Sequence, residues 1–301
     1  MENLNRRRFF KNLALLAGMS LLPDVTNATT ANGLVSRQRY KIAVIDLMIL
    51  KRQKLSAIAL TQEIGADGLE LDMGGLGNRD TFDNKLADPV IRKEFLDKAK
   101  ALHIEICSLA MTGFYAQSFA TRPTYQQMIG DCIATMKAMN VKVAFLPLGV
   151  SGDLVKNPEL RPAIVERLKV AGEMARKAGV IIGIETALPA ADEVRLLKDV
   201  GSPAVQIYFN FSNPLKQGRD LISELRILGR KNICQIHCTD EDGVWLQDNT
   251  RLDMHKIKTV LDEMRWKGWL VIERSRDAKN PKSVKENFGA NTKFLKSVFQ
   301  Q

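Results

Sequence analysis

Four short apolar runs in the second half of the chain each close on a polar side chain: Glu185 in GIET, Asn210 in YFNF, His237 in QIHC and Glu273 in VIER. Each can offer an oxygen or nitrogen to a cation, and a pair of glutamates can also take and return protons. Singly they say little. A glutamate at a strand end is usually solvated, and a histidine after an apolar run is more often a hydrogen-bonded structural residue. Neighbouring strands lie about 4.8 Å apart. One such group at the end of each of four consecutive strands would therefore reach a single ion, and the set points to a joint site.

The elements that must carry these ends are regular. Apolar, β-branched runs recur at YKIAVID, ADGLELD, IEICSLA, VKVAFLPL, VIIGIET, VQIYFNF, ICQIHCT and WLVIERS. Each is followed by a longer stretch with helical spacing, such as residues 158–178 and 281–299. Pro89, Pro123, Pro158, Pro189 and Pro281 stand at or just before the expected helix starts, where a missing N–H costs nothing. Eight strands alternating with eight helices predict an α/β fold, the closed (β/α)8 TIM barrel, as a single domain over residues 40–301. An open doubly wound sheet would need fewer strands, and no G-x-G-x-x-G follows the first one. In a barrel of this kind chemistry sits at the C-terminal ends of the strands, where the four polar groups fall.

The formal charge of +10 is spread along helical stretches among acidic residues, which reads as a solvated basic surface. Aromatics make up 6% of the chain and do not interleave with basic residues, so nucleic acid is not expected as a partner. Residues 1–28, with NRRRFFKNLALLAGMSLLP, resemble a twin-arginine signal peptide, and residues 29–39 read as a polar linker. The apolar run is too short for a stable membrane span, and the expected destination is outside the cytoplasm, in the periplasm. Cys107, Cys132, Cys234 and Cys238 form no C-x-x-C pair and read as buried free thiols, with a disulfide left open by export.

GIET, SPAVQIYFN, IHCTD and GWLVIERS resemble the sugar phosphate isomerase/epimerase family of xylose isomerase-like TIM barrels. The likeness runs over roughly residues 40–299, with ADGLELD matching the second strand. It implies one divalent metal held by Glu185, His237 and Glu273, with the fourth ligand at Asn210, where the family has Asp. An Asn carbonyl oxygen can ligate a hard cation but brings no charge. The family's ligand set leaves the site net negative, whereas with Asn it is neutral. Weaker affinity and a stronger Lewis acid are expected, and manganese, magnesium or cobalt rather than zinc. Two further departures are Thr239, where many members carry Lys, and Asn213, where ketose epimerases carry a His that meets substrate. The AP endonucleases share the barrel but need a histidine-rich metal cluster. This chain has only His103, His237 and His255.

The resemblance implies proton abstraction next to a carbonyl through an enediolate, with Glu185 and Glu273 as both ligands and acid/base groups. Glu70, expected at the end of strand two, would bind substrate hydroxyls, and Asn213 and Arg274 would face the substrate. Arg274 reads equally well as a surface guanidinium. The first expectation is a metal-dependent isomerase or epimerase of an unphosphorylated sugar. A lyase or dehydratase acting on a 3-keto sugar or keto-glycoside comes second, and a non-catalytic sugar-binding barrel third. The expected partner is a small-molecule sugar, and a homo-oligomer is left open.

Overall fold

A strand that faces a cavity on one side and helices on the other must alternate its side chains. The computed structural model, which describes residues 39–76 and 79–301, follows that rule. The expected signal segment lies outside the described residues. Eight parallel strands close in chain order: β1 (Tyr40–Ile45), β2 (Gly68–Asp72), β3 (Glu105–Ala110), β4 (Val143–Pro147), β5 (Ile181–Glu185), β6 (Val205–Asn210), β7 (Ile233–His237) and β8 (Gly268–Ile272). β1 closes the barrel on β8, with Tyr40 opposite Gly268. Ile182, Ile184, Ile207, Phe209, Ile236 and Ile272 join the large apolar layer beneath the helices. The residues between them on β6 and β7, Tyr208 and Gln235, turn inward and bond across the barrel to β2 and β3.

The helices are α1 (Ser56–Ile64), α2 (Pro89–Ala101), α3 (Gly113–Ala116), α4 (Tyr125–Met139), α5 (Arg161–Ala178), α6 (Ala190–Val200), α7 (Ser212–Lys216), α8 (Leu221–Asn232), α9 (Met254–Glu263) and α10 (Val284–Phe299). Eight of them are the expected crossovers. The short α3 and α7 are additions after β3 and β6, on the rim that carries the site. Local chemistry sets the starts: Asp88 accepts the N–H groups of Val90 and Ile91 with Pro89 first in α2, and Asp220 and Asp253 cap α8 and α9 in the same way. Among the described residues, no helix is long and apolar enough to cross a membrane. The four cysteines are free.

Inside the barrel, a small plug of Ala43, Ile45, Cys107, Phe145, Tyr208 and Val271 supports the strand ends. The His237 ring rests on it, 4.4 Å from the Tyr208 ring and 4.8 Å from the Phe145 ring between centroids. Gly183 makes room for this packing. A Cβ there would lie 2.6 Å from Cys234 Sγ and 3.1 Å from Tyr208 Cβ, so only glycine at this place, two residues before Glu185, leaves room for Tyr208.

Candidate active site

β5, β6 and β7 end on Glu185, Asn210 and His237, and Glu273 directly follows β8. Asn210 pairs with His237 in the β6–β7 register, which shifts by one residue between Ile207 and Tyr208. That irregularity brings the two ends level. All four side chains meet. Asn210 Nδ2 donates to Glu185 Oε2 at 3.0 Å and to Glu273 Oε2 at 3.0 Å. His237 Nδ1 lies 3.0 Å from the same Glu185 Oε2. Asn210 Oδ1 accepts the backbone N–H of Ser212 at 2.9 Å, a turn that fixes the amide's orientation.

Glu70 differs from its expected place. β2 runs on to Asp72, so Glu70 is its third residue and lies below the rim with no accessible surface. Its Oε2 accepts the hydroxyls of Ser108 at 2.6 Å and Tyr208 at 2.7 Å, and its Oε1 faces His237 Nε2 at 3.4 Å. Glu70 therefore holds the imidazole from below, while still lining the base of the cavity. Gln235 completes the floor, donating to Ser108 Oγ at 2.9 Å and Tyr208 Oη at 3.0 Å.

The charges follow from these contacts. Burial alone would lower the His237 pKa, but hydrogen bonds to Glu185 and Glu70 outweigh it and hold the imidazole at about 10. The ring is then a cation at neutral pH, donating from both nitrogens. Burial raises the Glu273 carboxyl above its ordinary value; the His237 charge opposes this and the Glu185 charge adds to it. Glu273 thus keeps a proton to higher pH than a solvated glutamate.

The four-ligand metal centre expected from the resemblance does not fit these residues. A ligand must present a lone pair. The Ser212 N–H holds Asn210 Oδ1, and turning the amide over would set NH2 against that donor. Nδ2 therefore faces the site, with its two protons on the two glutamates. Among the described residues no three His, Cys, Asp or Glu side chains gather as a group able to hold an ion. As oriented here, Asn210 is a donor to the two glutamates, not the oxygen ligand that the resemblance implied.

Above the four groups opens a cavity of about 550 Å³. Asn213 and Arg274, expected toward substrate, both line it. Asn213 Nδ2 donates to the Thr186 carbonyl at 2.9 Å, and Arg274 Nε is 3.9 Å from Glu273 Oε1. Thr239 is buried and accepts the Arg274 N–H at 3.0 Å, so it ties the end of β7 to the end of β8. Sequence reasoning missed Tyr115, on α3, whose hydroxyl donates to Glu185 Oε1 at 3.3 Å. It also missed Lys156 and Lys216 on the cavity wall. A four-residue helix in a loop has no periodic signal to find.

The family described as xylose isomerase-like TIM barrels matches residues 58–298. A curated relative, the 2-epi-5-epi-valiolone 7-phosphate 2-epimerase of Actinoplanes sp., is 26% identical over 175 residues. The match covers 57% of this chain and 63% of that protein, less than two thirds of the relative's length. The D-psicose 3-epimerase of Clostridium cellulolyticum H10, solved with D-tagatose, shares the fold with a TM-score of 0.69 at 14% identity, over 86% of this chain and 99% of that one. The apo 3-keto-D-glucoside 4-epimerase of E. coli does so with a TM-score of 0.66 at 16% identity, over 87% and 100%.

Proposed function

Because the chain belongs to the xylose isomerase-like TIM barrel family, we propose that it is a sugar isomerase or epimerase that moves a proton at a carbon next to a carbonyl. The observation that carries this reading is the pair Glu185 and Glu273, joined through the Asn210 amide at the base of a cavity sized for a small sugar. The relative from Actinoplanes bears the name of an epimerase, which supports the reaction class.

The proton path uses this chain's own groups. The Glu185 carboxylate removes the proton from the carbon, and the carbonyl oxygen becomes an enediolate oxyanion. Arg274 lines the same cavity and supplies N–H donors for that charge, while the Tyr115 hydroxyl donates to Glu185. Glu273, whose carboxyl burial makes less ready to ionise, returns a proton to the other face or to the neighbouring carbon. His237 and Glu70 hold Glu185 in place from below. The protons balance once Glu185 passes its proton back to Glu273 through solvent or substrate hydroxyls.

The substrate we propose is an unphosphorylated sugar, because the N-terminal segment resembles an export signal and sugar phosphates belong to the cytoplasm. Product analysis with a panel of free ketoses and keto-glycosides tests the reading. The expected result is a sugar of unchanged composition with one altered stereocentre or a shifted carbonyl. Release of the aglycone from a keto-glycoside would replace it with elimination, the lyase reading. No change in any substrate, with sugar still bound, would replace it with a binding barrel.

A further inference from the structure

We infer that the Asn210 amide holds the Glu185 and Glu273 carboxyls together, and that the four strand ends work without a divalent cation. The Asn210 amide bridges Glu185 Oε2 and Glu273 Oε2 at 3.0 Å each, so one neutral NH2 group supplies both carboxylates with the positive partner that a cation would otherwise supply. The His237 ring meets the same Glu185 oxygen from a third side, its Nδ1 3.0 Å away. Asn210 is 4% exposed and its Oδ1 is engaged by the Ser212 N–H, so the amide cannot offer its oxygen inward without setting two donors face to face. Even with Oδ1 turned inward, the NH2 would lose both carboxylates.

A single atom decides the matter. With Asp at position 210, one oxygen would accept the Ser212 N–H and the other would face Glu185 and Glu273. Three carboxyl groups would then crowd one spot, a repulsion that a bound cation relieves while all three stay ionised. Asn210 is therefore a positioning residue for the two glutamates, and its identity selects against the ion. The inference rests on this geometry and not on the proposed reaction, and its test needs no turnover.

The test is Mn²⁺ binding to the full chain, read by the loss of the free-ion electron paramagnetic resonance signal, with thermal melting in Mn²⁺, Mg²⁺ and EDTA alongside. The wild type should show no stoichiometric site and a melting temperature that neither ion nor chelator moves. Asn210→Asp should melt lower in EDTA, recover with Mn²⁺, and bind one Mn²⁺ per chain at least about 100-fold more tightly than the wild type. One tightly held Mn²⁺ per wild-type chain would overturn the inference. So would a folded Asn210→Asp that also binds none. Should the Asp variant fail to fold, the wild type decides alone: an occupied site overturns the inference, and no site with an EDTA-insensitive melt upholds it. Failure here would leave the sugar isomerase reading standing, because product analysis tests that separately.

Discussion

The Tyr115 hydroxyl sits 3.3 Å from Glu185 Oε1 and reaches it from α3, an element outside the regular strand and helix alternation. Burial first, and then the Glu185 and Glu273 charges, push the phenol's pKa well above its ordinary value, so Tyr115 remains a donor at working pH. It touches Glu185 on the oxygen that neither His237 nor Asn210 uses.

Tyr115→Phe should therefore lower kcat by roughly 10-fold, about 1.4 kcal/mol of barrier, with little change in melting temperature. Steady-state kinetics on the substrate found by product analysis checks this. A variant with wild-type kcat would remove Tyr115 from the reaction.

The barrel and its four strand ends were legible because they rest on local regularities. Period-two alternation in VIIGIET, VQIYFNF and ICQIHCT requires that Glu185, Asn210 and His237 share the inward face, and β5, β6 and β7 end on them. The depth of Glu70 was not legible. In GLELD nothing marks where pairing stops, and two more residues of β2 put Glu70 under His237 at the base of the cavity instead of at the strand end. Nor was the orientation of the Asn210 amide, which depends on a single backbone N–H at Ser212. The residue type allowed a ligand, and the turn made it a donor. Tyr115 needed the whole tertiary structure, since α3 reaches Glu185 across the rim of the barrel.

Glu193 provides a pH test away from the reaction. It is 2% exposed, accepts the Thr186 hydroxyl at 2.7 Å through one oxygen, and leaves the other without a hydrogen-bond partner. Burial, followed by the Glu224 charge, raises its pKa to about 8, against the opposing Thr186 hydrogen bond and Arg219 charge. The folded state then binds a proton that the unfolded chain has released, so the stability tied to this group is full at acid pH and is lost as pH rises toward about 8. Glu193→Gln removes that loss. Relative to the wild type, its melting temperature should gain steadily between about pH 5 and 8, by the equivalent of a few kcal/mol. A gap that does not change with pH would contradict the assignment.

Export is proposed from the sequence alone. Arg6 and Arg7 stand in NRRRFFK, outside the described residues. Replacing both by Lys keeps the charge and the apolar run. If a receptor reads the arginine pair, the double variant should accumulate folded in the cytoplasm while the wild type leaves it. Fractionation of cells decides this. Equal amounts of both forms outside the cytoplasm would show that charge alone steers the segment.

The central claim is that Glu185 and Glu273 move a proton at a carbon beside a carbonyl. Solvent-hydrogen exchange tests it most directly. In D2O, with the substrate identified by product analysis, nuclear magnetic resonance should find deuterium at the altered carbon of the product. Glu273→Gln, in a chain that melts like the wild type, should slow turnover about 100-fold or more, the usual scale for a general acid/base. Product formed without deuterium by the wild type, or a Glu273→Gln variant that exchanges at the wild-type rate, would contradict the account.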